Sequence, residues 1–68
     1  GEKKVFKGII EKMESNYAFV KREIHGDSIF MFREKGIHDW KDFRINSNLE
    51  FNLSFNYKGP VIVNPNLI

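Results

Sequence analysis

The chain has 68 residues, with 11 Lys or Arg against 9 Asp or Glu, so it carries a formal net charge of only +2 and fits one domain with a modest core. It has no cysteine and no run near the roughly 18 apolar residues of a spanning helix, which excludes a disulfide framework, thiolate metal sites and a helical membrane anchor. A cysteine-free chain fits a reducing, cytoplasmic setting, and an opening on Gly1 without Met suggests a domain from a larger parent protein. Residues 4–13, KVFKGIIEKM, are rich in β-branched and aromatic residues and predict a strand, with a bend or bulge expected at Gly8. MESN follows as a turn. Residues 17–24 predict a second strand, and HGDS at 25–28 a hairpin tip in which Gly26 supplies a positive φ. Ile29–Arg33 predicts the third strand.

Beyond it, Ile37, Trp40 and Phe43 recur at every third position, the spacing of a short helical turn or a packed loop. Leu49, Phe51, Leu53, Phe55 and Tyr57 then alternate with polar residues, which predicts a half-buried strand. Lys58-Gly59-Pro60 makes a turn, and Val61–Val63 a last short strand ended by Pro65. Five short strands with one longer connection favour an all-β, closed, antiparallel barrel, because closure removes exposed edges.

The hairpin SNYAFVKREIHGDSIFMF is apolar on both faces. Alternation places Tyr17 and Phe19 on one face, with Phe30 and Phe32 beside them on the next strand. Ala18, Val20, Ile29 and Met31 then point into the barrel, where a narrow interior needs small and aliphatic side chains. Exposed rings are unfavourable in water, so a cluster of them marks a binding surface. Bases stack on flat rings with about 1–3 kcal/mol per base and little sequence preference. Lys7, Lys12, Lys21, Arg33, Lys41 and Lys58 can fringe such a platform, while Glu11, Glu14, Glu23 and Glu34 dilute the positive field. The competing reading makes the rings a second core under the 34–48 loop. Trp40 either stacks on a base or plugs that loop with Ile37, and Phe43 is expected to pack inside.

No catalytic motif is present. His25 and His38 lie in separate loops without metal-ligand spacing, and neither a nucleophile motif nor a glycine-rich phosphate loop appears. Neither an enzyme nor a cofactor is expected. Asn52-Leu53-Ser54 matches the glycosylation acceptor pattern by chance, mid-strand in a chain without a secretion signal.

In order and spacing, these segments resemble the cold-shock domain, a five-stranded oligonucleotide-binding barrel, from about Lys4 to Pro65. The family's first ribonucleoprotein motif, Lys-Gly-Phe-Gly-Phe-Ile, is matched by Ser15-Asn16-Tyr17-Ala18-Phe19-Val20, which keeps both rings and loses the lysine and glycines. The second, Val-Phe-Val-His-Phe, is matched by Ile29-Phe30-Met31-Phe32-Arg33, with Phe32 for the histidine and Arg33 for the last ring. Glu11-Lys12-Met13-Glu14 stands where the family has Lys-Trp-Phe-Asn and lacks its tryptophan. Trp40-Lys41 matches the family's loop aromatic and lysine, and Lys58-Gly59-Pro60 with Asn64 matches its ending. The resemblance implies a monomer that binds single-stranded RNA or DNA. Bases would stack on Tyr17, Phe19, Phe30, Phe32 and Trp40, while Lys12, Arg33 and Lys58 meet phosphates. The alternative is a diverged barrel whose same face docks a protein or the rest of a longer chain.

Overall fold

A computed structural model of the chain describes residues 4–33 and 40–68. The strands are β1 (Phe6–Met13), β2 (Tyr17–Arg22), β3 (Ser28–Phe32), β4 (Asn48–Asn56) and β5 (Gly59–Leu67), with one 3-10 turn at Trp40–Asp42. They form the expected closed barrel, in the order β1-β2-β3-β5-β4. It is an oligonucleotide-binding-type barrel with one departure from the antiparallel expectation. β3 and β5 meet in parallel, at Phe30 opposite Val61, while every other pair is antiparallel. Closure causes this: the final strand must seal the gap beside β3 while staying antiparallel to its hairpin partner β4.

The core lies where alternation placed it. Ala18, Val20, Ile29 and Met31 are buried together with Ile10, Leu49, Phe51 and Ile62, and burying each of these side chains larger than alanine stabilises the fold by about 1.5–3 kcal/mol. Trp40 and Phe43 join them, packed edge to face with ring centroids 6.0 Å apart.

Two sequence expectations about backbone irregularity move. The bulge in β1 is not at Gly8: Ile10 pairs with Val20 and Lys12 with Phe19, so Glu11 is the extra residue. Gly8 serves close approach instead, because a Cβ there would sit 2.6 Å from the Lys21 carbonyl oxygen and 2.8 Å from Val20 Cγ1. Nor does Pro65 end the last strand. Asn64, at a φ of 53°, lets β5 bulge opposite Phe51 and resume pairing at Asn66 with Glu50.

The β2–β3 tip is fastened as well as turned. Gly26 takes the expected positive φ of 71°. The Arg22 N–H donates to the Asp27 carbonyl at 2.9 Å, and the Arg22 guanidinium grips the Asp27 carboxylate through two bonds of 2.7 Å. That grip holds the Asp27 carboxyl below its usual range, chiefly through the Arg22 hydrogen bonds. It also fixes the register of the two strands that carry the rings.

Candidate nucleic-acid interface

β2 and β3 pair with Tyr17 opposite Phe32 and Phe19 opposite Phe30, so all four rings lie on the outer face of one strand pair. They form one cluster. Phe30 sits at its centre, stacked on Tyr17 at 5.5 Å, edge-on to Phe19 at 5.4 Å and edge-on to Phe32 at 4.3 Å between centroids. Tyr17, Phe19 and Phe30 are half-buried by one another, while Phe32 is 43% exposed. These rings hold each other in fixed orientations and still present faces and edges to solvent. Such a surface accepts a flat aromatic partner without having to order itself first.

The bulge in β1 supplies the nearest cation. With Ile10 buried, uninterrupted alternation would turn Lys12 inward as well. The extra Glu11 resets the phase, so Lys12 stands opposite Phe19 with its ammonium 5.8 Å from the centre of the Tyr17 ring. Met13 is thereby turned toward the core. Lys21 continues the outward row beyond Phe19. Beside it the Ser28 hydroxyl donates to the Glu11 carboxylate, so one of the acids that dilute the field is engaged within the sheet.

At the other margin the rings border a cleft of about 220 Å³, lined by Phe30, Phe32, Asn56, Lys58, Pro60 and Val61. Lys58 lines this cleft from the β4–β5 turn, with its N–H held by the Asn56 side-chain oxygen at 2.8 Å and its ammonium 5.7 Å from the centre of the Tyr57 ring. Asn56, Pro60 and Val61 were not among the residues expected from sequence. Their approach depends on the β3–β5 seam, which no local pattern reveals. Arg33 is exposed, but its guanidinium donates to the Ser15 carbonyl at 3.3 Å, which ties it to the β1–β2 turn.

Trp40 requires a correction. It is 4% exposed, and its Nε1–H donates to the Glu14 carbonyl at 3.1 Å, closing the barrel beside the β1–β2 turn. It is a core residue and offers no face to a base. The signal is in the three-residue spacing: Phe43 follows the 3-10 turn directly, its N–H donates to the Trp40 carbonyl at 3.1 Å, and both side chains are buried. Glu34, Ile37, His38 and Asp39 lie outside the described residues. His25 is exposed at the hairpin tip, and among the described residues no three His, Cys, Asp or Glu side chains gather where a metal could be held. Also among them, no helix is long and apolar enough to cross a membrane.

No family model matches the chain, and no curated protein does.

Proposed function

We propose that this barrel binds single-stranded RNA or DNA by stacking bases on Tyr17, Phe19, Phe30 and Phe32, as a diverged member of the cold-shock type acting in the cytoplasm. The observation that carries this reading is the ring cluster itself: four aromatics joined by contacts of 4.3–5.9 Å on the outer face of β2–β3, with Lys12 on one flank and Lys58 on the other. Stacking supplies affinity that varies little with sequence, and the two lysines meet phosphates at the margins. Arg33 is a third phosphate contact once its guanidinium turns from the Ser15 carbonyl. No bond is made or broken. The effect of binding is to hold a strand unpaired or to place a larger protein on it.

Because Trp40 is buried, its fluorescence reports on the fold, so binding is better followed by the anisotropy of labelled oligo-dT and oligo-U. Phe32→Ala removes the most exposed ring of the cluster and should weaken binding by about 1–3 kcal/mol while leaving the melting temperature nearly unchanged. Phe30→Ala should lose at least as much affinity and some stability too, since that ring touches the other three. Absence of binding to either oligonucleotide at low salt would refute the proposal. So would binding that survives both substitutions.

A further inference from the structure

Glu11 is the residue that β1 bulges out of its ladder, and its carboxylate does not stay over its own strand. It accepts the Ser28 hydroxyl on β3, so the side chain crosses the outer face of β2, which lies between the two. Ser28 and its partner Lys21 share that face with Phe30 and Phe19, two positions away along each strand, a step of about 7 Å. The carboxylate therefore stands at the edge of the ring cluster. Among the described residues the one ion pair joins Arg22 to Asp27, so no Lys or Arg side chain neutralises Glu11. An anion beside a surface that meets phosphates weakens the binding of any strand. Neither stacking nor phosphate contact makes use of it.

We propose that Glu11 reads the edge of a base lying over Phe19 and Phe30, and selects guanine there. This selection rests on the stacking function above and adds one base-specific position to a surface that is otherwise tolerant. An ionised carboxylate only accepts hydrogen bonds, through two oxygens side by side. Guanine presents two adjacent donors on one edge, N1–H and the exocyclic N2–H, and so can satisfy both oxygens at once. Uracil and thymine offer one N–H between two carbonyl oxygens. Cytosine and adenine set an amino group beside an unprotonated ring nitrogen. Each of these four brings an acceptor against the carboxylate, which is unfavourable. The Ser28 bond takes one of about four lone-pair positions, so both Glu11 oxygens can still accept. It also holds the long glutamate side chain in place before the base arrives.

Anisotropy titrations with labelled oligo-dT, and with the same oligomer carrying one central guanine, hypoxanthine or adenine, test this. Adenine controls for the larger stacking area of a purine. The guanine oligomer should bind about tenfold more tightly than the adenine one, and hypoxanthine, which lacks the exocyclic amine, should lose most of that gain. Glu11→Gln should erase the guanine advantage and yet tighten binding to plain oligo-dT, because one negative charge is gone. A carboxylate that merely sits on the surface gives the second change without the first. Glu11 and Ser28 are both exposed, so the variant should melt close to the parent chain. Equal affinity of the parent chain for the three purine oligomers overturns the inference and leaves the stacking function standing. A guanine advantage that survives Glu11→Gln overturns it too, since another group then reads the base. If no oligomer binds, the stacking function fails and this inference falls with it.

Discussion

At the scale of single residues, burial separates two aromatic roles that composition merges. Trp40 and Phe43 fill the barrel, whereas Phe30 and Phe32 sit on its outside. Trp40→Phe keeps most of the apolar volume but removes the N–H that serves the Glu14 carbonyl. It should lower unfolding free energy by about 1–3 kcal/mol in a urea titration. The same variant should bind oligonucleotide as the parent chain does, which distinguishes a core tryptophan from a stacking one. Gly8 gives a second residue-scale test. Gly8→Ala forces a methyl against the Lys21 backbone and Val20, and should cost about 1–3 kcal/mol, read from the same titration. A glycine at a bulge would have tolerated that change better.

Among the elements, local alternation was readable and closure was not. β2 and β3 could be oriented from sequence because each carries apolar residues on both faces, with the smaller and aliphatic ones suited to the interior. β5 was underestimated because Asn64-Pro65 looks like an ending. An asparagine at positive φ instead lets the strand step past the proline and pair again. The parallel β3–β5 contact has no sequence signature, since it joins strands far apart in the chain, and the cleft that admits Lys58 was missed with it. The tip pairing of Arg22 with Asp27 makes its own prediction. A carboxyl held below its usual range stabilises the fold above that range and ceases to do so as pH falls through its own lowered value. Asp27→Asn should therefore melt below the parent chain at neutral pH. The gap should begin to close near roughly pH 4 and vanish in stronger acid, as thermal melts across pH would record.

For the whole molecule, a small barrel has enough interior for one core, so its remaining aromatics must stay outside. The modest charge balance then limits how strongly phosphates contribute. If Lys12, Arg33 and Lys58 each neutralise one phosphate, log K should fall with log salt at a slope of about −2, measured by anisotropy between low and moderate salt. A slope near zero with binding retained would point to stacking alone. The bulge at Glu11 carries a consequence of another kind. With Glu11 in the chain, Lys12 faces the rings because β1 bulges that residue out of the ladder. Removing Glu11 would leave Ile10 opposite Val20 and Lys12 opposite Phe19 in a regular ladder, so the lysine would still face the rings; pairing Glu11 in place of bulging it is what would exchange the places of Lys12 and Met13. The phase of pairing, more than the residue count, is thus what keeps the cation beside the rings. A related sequence shorter by this one residue could present the same face on an unbulged strand, losing only the carboxylate that meets the Ser28 hydroxyl.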